Sequence, residues 1–331
     1  MTYTFLMNQP LILHTARYVG LPLEILQKAC PQGFSVKTLD EATYEQLVKE
    51  AADADYFLVS GRLPIDKAVL DNASRLKMIQ RTGVGTEMLD VEEIRKRGIS
   101  VYVNAGVNAR SVAEHTLTLI LALLKRLPQI NAQTHSGVWK KQQQGVTTHE
   151  LHGKTVGLVG MGNIGRLVAA MLQAFGAFVL YTDVLRQEEE VENNLGLTYC
   201  DSFEALLPQC DILSFHCPLT KENTEMLNKR TMAMMKEGGI VVNTARGKLV
   251  NPDALYDALQ SGHLASAALD THYEEPIPEG YRLAELDNVI LTPHIGGLSH
   301  EAFGSMMQGA MQNIEAFAEG RLDEIASKRI L

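Results

Sequence analysis

Three apolar, β-rich runs near the end of the chain each stop at a side chain able to do chemistry. Arg246 follows GIVVNTA in NTARG, Asp270 ends ASAALD with Glu275 five residues on in DTHYEEP, and His294 follows Val289-Ile290-Leu291 in NVILTPHIGG. Three elements thus offer a guanidinium, a carboxylate and an imidazole: a grip for an anionic ligand and groups that give, take or stabilise a proton. His294 alone also fits a polar tip at a strand end. Its context includes TVGLVGMGNIG, which carries G-x-G-x-x-G at Gly160, Gly162 and Gly165. That motif follows an apolar run and opens a segment with apolar residues at helical spacing, Ile164, Leu167, Val168, Met171, Leu172 and Phe175. Glycines there permit a tight turn and let the backbone approach a pyrophosphate at a helix N-terminus. The next run, FVLYTD, ends at Asp183, eighteen residues after Gly165, where an acid accepts hydrogen bonds from adenosine ribose hydroxyls. A dinucleotide makes hydride transfer the leading chemistry, because the cofactor brings the reactive atom and the protein the acid, base and electrostatics.

These groups must be positioned by an α/β scaffold. Strand-like and helix-like segments alternate throughout, the pattern of parallel sheets. Strands are predicted at 34–39, 56–59, 77–79 and 99–103, with helices at 44–52 and 91–96 between them. A long helix follows over 111–127, with Ser111 as N-cap and Glu114 completing a capping box. Alternation restarts at Thr155, with strands at 155–160, 178–183, 211–216, 240–244, 265–270 and 289–292. A helix at 252–261 is punctuated by Asn251 as cap, Pro252 at its first position and Gly262 at its end. One amphipathic helix, 299–320, closes the chain. In a doubly wound sheet, ligands lie at the C-terminal ends of the strands, which is where Arg246, Asp270 and His294 fall.

Composition sets the frame. At 331 residues, two domains are the better prior; 46% hydrophobic and 21% charged residues describe a globular chain in water. A formal charge of −9 argues against nucleic acid or an anionic membrane as the main partner, though not against a small anion held by a local arginine. The first eighteen residues show neither a basic region nor a clean apolar one, so no secretory signal is expected. The longest apolar run, Leu117 to Leu124, is far shorter than the ~20 residues of a membrane span. Cys30, Cys200, Cys210 and Cys217 have no zinc-ligand or CxxC spacing and read as reduced cysteines in a cytoplasmic protein. No metal is implied. His115 reads as a satisfied core or interface group, and His14, His135, His149, His152, His263 and His300 as surface or turn residues.

The ordered motifs resemble the D-isomer-specific 2-hydroxyacid dehydrogenase family. They are RTGVGTEMLD at 81–90, NARSVAEHTL at 108–117, GKTVGLVGMGNIGR at 153–166, DILSFHCPLT at 211–220, GGIVVNTARGKLV at 238–250, ALDTHYEEP at 268–276 and NVILTPHIGG at 288–297. The resemblance implies that Arg246 binds the substrate carboxylate and carbonyl, His294 is the acid/base, and Glu275 pairs with it. Val84 and Gly85 would hold the carboxylate through their backbone. For the cofactor it implies the loop Gly160, Gly162, Asn163, Ile164 and Gly165, with Asp183 on the ribose. It further implies His216, Cys217 and Pro218 along the cleft, Thr244 and Ala245 beside Arg246, and Asp270 near the nicotinamide amide. Pro293 would fix the histidine, with Gly296-Gly297 allowing close approach and a hinge. Three departures stand out. Glu87 replaces a more usual aspartate, and Thr271-His272 replaces a commonly apolar pair, valine and phenylalanine. The second brings another imidazole close to Glu275; His294 is preferred because its whole PHIGG frame matches. Arg62 lies where relatives handling phosphorylated acids can place a basic group, although an exposed loop arginine is the simpler reading.

The expectation is therefore an α/β protein of two Rossmann-like or flavodoxin-like domains with parallel sheets. The NAD-binding domain, residues 105–296, would be inserted into a substrate-binding domain of residues 1–104 and 297–331. The expected activity is NAD(H)-dependent interconversion of a small 2-oxo acid and its D-2-hydroxy acid. Preference should be for NADH, with Arg186 able to soften the repulsion between Asp183 and a 2′-phosphate. Alternatives are an NAD(H)-sensing corepressor-like binding protein, which the absence of long disordered extensions disfavours, and a formate or phosphonate dehydrogenase. The apolar stretch Leu117 to Leu124 suggests a buried face, and the family resemblance implies a homodimer formed largely there. No nucleic-acid or membrane partner is expected.

Overall fold

The computed structural model describes residues 9–331. The expectation about a signal at the N-terminus falls partly on residues 1–8, outside the described residues. The chain divides into two compact units, one running to Asn108 and resuming over His300–Leu331, the other Ala109–Ser299. These borders lie four and three residues beyond those read from the sequence.

The first unit carries five parallel strands, β1 (Leu11–His14), β2 (Ser35–Thr38), β3 (Tyr56–Val59), β4 (Met78–Arg81) and β5 (Ser100–Tyr102). Their order is β2-β1-β3-β4-β5, the flavodoxin-like winding. β3 is buried at every position, as a strand covered on both faces must be. One face packs on helix His300–Ala318, whose Met306, Met307, Ala310, Met311 and Ile314 meet Ile12, Tyr56, Met78 and Tyr102. β1 has no counterpart in the sequence reading, because LILH is four residues with no alternation.

The second unit carries seven parallel strands: β6 (Thr155–Val159), β7 (Phe178–Thr182), β8 (Leu197–Tyr199), β9 (Ile212–Phe215), β10 (Gly239–Asn243), β11 (Leu264–Leu269) and β12 (Val289–Leu291). They are ordered β12-β11-β10-β9-β6-β7-β8. The winding runs outward from β6 to β8, then returns to place β9 beside β6, so the strand order reverses there and opens a crevice at the carboxyl ends. Helix Pro252–Gln260 is capped as its sequence demands: the Asn251 side chain accepts from Ala254 N at 2.9 Å, and Gly262 leaves it with φ +81°.

The long helix needs correction. It spans Ala109–Leu124, and Ser111 lies inside its first turn instead of capping it. The Ser111 hydroxyl instead donates to Gly296 O at 2.7 Å and accepts from Ser299 N at 3.3 Å. Leu119, Ile120, Leu123 and Leu124 are buried in the unit's own core with Val156, Leu158, Val168 and Leu172. That part of the apolar stretch packs inside this unit, while Leu117 and Leu121 are only partly buried against it. Arg126, left-handed at φ 48°, breaks the chain into a second helix, Leu127–His135. No helix among the described residues is long and apolar enough to cross a membrane.

Candidate active site

The glycine motif occupies the turn from β6 into helix Asn163–Ala174, and its three glycines do different work. Gly160, at φ +101°, passes the β9 end so closely that a Cβ would lie 2.7 Å from Cys217 N and from His216 C. At Gly165 a Cβ would stand 2.2 Å from Gly160 O, so helix and strand end meet only without one. Gly162 faces open space: a Cβ there meets nothing within 4 Å. That clearance, in front of backbone N–H groups at a helix start, fits a pyrophosphate. Asp183, just past β7, accepts from Met161 N at 2.6 Å and so closes on the same loop. Arg186 is drawn elsewhere: it grips Glu192 with two bonds, 2.9 and 2.8 Å, and lies 5.3 Å over the Tyr199 ring. The hydrogen bonds from Arg186 and from Tyr181 (2.6 Å) hold the Glu192 carboxyl down at about 2. The expected softening of charge at Asp183 therefore has no basis in this arrangement.

On the other side of the reversal, the turns after β10, β11 and β12 meet. Asn243, fully buried, clamps the first: its amide donates to Arg246 O at 2.8 Å and its Oδ1 accepts from Ala245 N at 3.0 Å. Thr244 is fixed through its hydroxyl, 2.9 Å from that of Thr116. The half-buried Arg246 side chain donates to Ala245 O at 2.8 Å. A Cβ on Gly247 would fall 1.9 Å from the backbone of His272, so the β10 turn rests directly on the β11 turn. Glu275 links that turn to the next. Its Oε1 accepts from His272 N at 2.7 Å and its Oε2 lies 2.9 Å from His294 Nδ1. With Nδ1 facing a carboxylate, Nε2 is the ring nitrogen turned to other work. The His272 ring does not reach Glu275; it contacts Thr292 O at 2.9 Å and is buried.

His294 takes φ +58°, a left-handed conformation that costs a non-glycine residue roughly 1 kcal/mol and persists only under restraint. Asp270 supplies the restraint. At 1% exposure it accepts from Thr292 Oγ1 (2.6 Å), Ile295 N (2.9 Å) and Gly296 N (2.8 Å), with His115 Nε2 at 3.4 Å. Burial alone would raise this carboxyl; the bonds from His115, Thr292 and the two backbone N–H groups outweigh it and hold it at about 2. Asp270, expected near the nicotinamide amide, is thus first an anchor of the PHIGG loop. Gly296 is buried and pinned by it, a Cβ there standing 2.9 Å from Asp270 Oδ2, while the change of unit falls after Ser299. The sequence reading left His115 outside the site. Its signal was a single polar ring on an apolar helix.

His216 and Cys217 follow β9 against Gly160. His216 Nε2 lies 2.9 Å from Ser214 Oγ, its Nδ1 is buried without a partner, and burial pushes its pKa down to about 3, so the ring stays neutral. Burial likewise pushes the Cys217 thiol up to about 11, which withholds a thiolate. Pro218 is exposed, and its carbonyl accepts from Asn223 Nδ2 at 2.8 Å. In the first unit, the β4 turn presents Val84, 53% exposed, and Gly85, whose carbonyl accepts from Arg81 Nε at 2.6 Å. Arg62 is exposed in the loop after β3. One bland assignment fails: His14, read as a surface or turn residue, is completely buried, its Nε2 bonded to the Ser60 hydroxyl and its Nδ1 3.3 Å from that of Thr38.

Known proteins resemble this chain along most of its length. Residues 117–296 match the model of the D-isomer specific 2-hydroxyacid dehydrogenase NAD binding domain. A glyoxylate reductase of Thermococcus litoralis is 37% identical over 83% of this chain and 84% of its own. A D-3-phosphoglycerate dehydrogenase of Methanocaldococcus jannaschii is 36% identical over 85% of this chain and 53% of its own. The solved D-lactate dehydrogenase of Aquifex aeolicus, complexed with NAD and lactic acid, superposes with a TM-score of 0.84 at 29% identity, covering 97% of this chain and 98% of that one. The NAD-binding match lies within the unit that carries the glycine loop and the Glu275–His294 pair, and this chain belongs to the D-isomer specific 2-hydroxyacid dehydrogenase family.

Proposed function

We infer that this protein is an NAD(H)-dependent dehydrogenase interconverting a small 2-oxo acid and its D-2-hydroxy acid. The observation that carries the reading is the Glu275–His294 pair, 2.9 Å apart, on the same carboxyl edge as a glycine loop clear of side chains at Gly162. NADH, which the loop Gly160–Gly165 and Asp183 would hold, would supply the hydride. His294 would give the substrate oxygen its proton from Nε2 as the carbonyl is reduced. Glu275 stabilises the imidazolium that does so. Arg246 grips the substrate carboxylate with its planar fork and polarises the carbonyl, with the backbone of Val84 and Gly85 proposed as further donors. Asp183 favours NADH, since a 2′-phosphate would meet its charge with Arg186 tied to Glu192. A cytoplasmic homodimer formed largely along the long helix is part of this reading, with Leu127, Trp139 and Val146, at 58, 82 and 80% exposure, as further apolar surface.

The test is NADH oxidation against a panel of glyoxylate, hydroxypyruvate, pyruvate, branched oxo acids and phosphohydroxypyruvate. Turnover with at least one is expected, and NADH should exceed NADPH in kcat/KM. NADH binding without turnover of any oxo acid would favour a nucleotide-sensing protein. NAD+ reduction by formate or phosphonate alone would favour that other enzyme class.

A further inference from the structure

His272 stands at a position where phenylalanine was the expected residue, and its ring is not idle filling. It is 8% exposed, edge-on to Tyr281 at 6.0 Å, with Nε2 2.9 Å from Thr292 O. A carbonyl only accepts, so the ring proton belongs on Nε2; Nδ1, buried without a partner, keeps the lone pair. The same Thr292 carbonyl accepts from His294 N at 3.0 Å. Meanwhile the backbone of His272 donates to Glu275 Oε1 (2.7 Å), whose other oxygen faces His294 Nδ1 (2.9 Å). One residue therefore holds the carboxylate through its backbone and the root of the histidine loop through its ring. The hydroxyl of Thr292 is held independently by Asp270 at 2.6 Å, with His115 Nε2 3.2 Å from it.

We propose that His272 is a positioning residue for the acid/base histidine, its buried imidazole holding the Thr292 carbonyl so that His294 stays against Glu275. The proposal rests on the dehydrogenase reading above. Phenylalanine would fill the space beside Tyr281 but leave the carbonyl with one donor fewer, and the loop carrying a left-handed His294 would lose an anchor.

The experiment compares wild type, His272→Phe and His272→Gln in oxo-acid reduction across pH, with NADH binding followed by fluorescence. Gln can donate from its amide in place of the ring Nε2. In the Phe variant kcat should fall about five- to tenfold, as loss of one hydrogen bond allows, with the oxo-acid KM nearly unchanged. Gln should restore most of kcat, and both variants should bind NADH as wild type does. A wild-type rate in His272→Phe, or a Gln variant no better than Phe, overturns the proposal. If the Phe variant does not fold, NMR of 15N-histidine-labelled wild type decides: the Nε2–H tautomer at His272 supports it and the Nδ1–H tautomer overturns it. His294→Ala separates the two levels. Full activity there removes the dehydrogenase assignment of His294 itself, whereas an inactive His294→Ala beside an unaffected His272→Phe removes only the role of His272.

Discussion

Glu275 divides its two oxygens between a backbone N–H and an imidazole, and that division decides what the pair can do. Glu275→Gln keeps a hydrogen-bonding amide and deletes the charge that favours the imidazolium. Oxo-acid reduction by this variant should lose kcat while the oxo-acid KM and NADH binding stay nearly unchanged, because the group that aligns and stabilises the proton donor is gone. His294→Ala should lose turnover by roughly 10²- to 10⁴-fold at every pH. A wild-type kcat in Glu275→Gln would dissolve the pairing. Arg246→Lys should lose most of kcat/KM while NADH binds unchanged, since an ammonium cannot reproduce a two-bond grip; a parallel collapse of NADH affinity would make Arg246 structural. These side chains could be read from the sequence because each ends a strand-like run in a recognisable frame. Their supports could not be. Asp270 was legible as a strand-end acid but not as the group that fastens the PHIGG loop, because its partners Thr292, Ile295, Gly296 and His115 come from two distant segments. His14 was misread for the same reason: Ser60 and Thr38 reach it only through the sheet.

At the scale of elements, period and punctuation carried most of the information. The two parallel sheets follow from alternating runs, and the capped helix Pro252–Gln260 from Asn251, Pro252 and Gly262. The strands that escaped, β1 and β8, are four and three residues long and give no period to detect. The helix Ala109–Leu124 marks another limit: Leu119, Ile120, Leu123 and Leu124 pack into the unit's own core, and an apolar face reads the same in sequence whether a subunit or a sheet covers it. The glycine loop separates folding from binding. Gly165→Ala sets a methyl 2.2 Å from Gly160 O and should lower the thermal midpoint by several degrees, overpacking costing about 1–3 kcal/mol. Gly162→Ala meets open space at an ordinary backbone angle, φ −77°, and should leave the midpoint in place. Its NADH affinity should nonetheless drop about tenfold or more, as the methyl occupies the approach to the backbone N–H groups. Wild-type NADH affinity in Gly162→Ala would mean that the loop does not hold the pyrophosphate.

Across the whole molecule, each unit keeps a neutral, desolvated histidine at the carboxyl edge of its sheet, His14 at the end of β1 and the partly buried His216 just after β9. The consequence is a shared weakness to mild acid. Burial lowers His14 from its ordinary 6.5 to about 4, against the opposing pull of the hydrogen bond to Ala16. An unfolded chain takes up that proton as pH falls through 6.5, whereas the folded unit resists until about 4. Its contribution to stability is therefore complete above 6.5 and declines as pH drops towards 4, by about 3 kcal/mol at the end. General charge repulsion is a poor rival explanation over the upper part of this range, because the net charge falls from −9 at pH 7 towards zero at the pI of about 5.6, so repulsion weakens as the pH drops. His14→Gln retains groups able to bond Ser60 and Thr38 but cannot titrate. Thermal midpoints measured from pH 7 to pH 4.5 should decline less steeply in this variant than in wild type, even if its midpoint at pH 7 is lower. His216 still titrates in the second unit, so some acid sensitivity should persist in the single variant and shrink further when His216→Gln is added. Parallel midpoint curves for wild type and His14→Gln would show that the buried ring of the first unit is not what mild acid attacks.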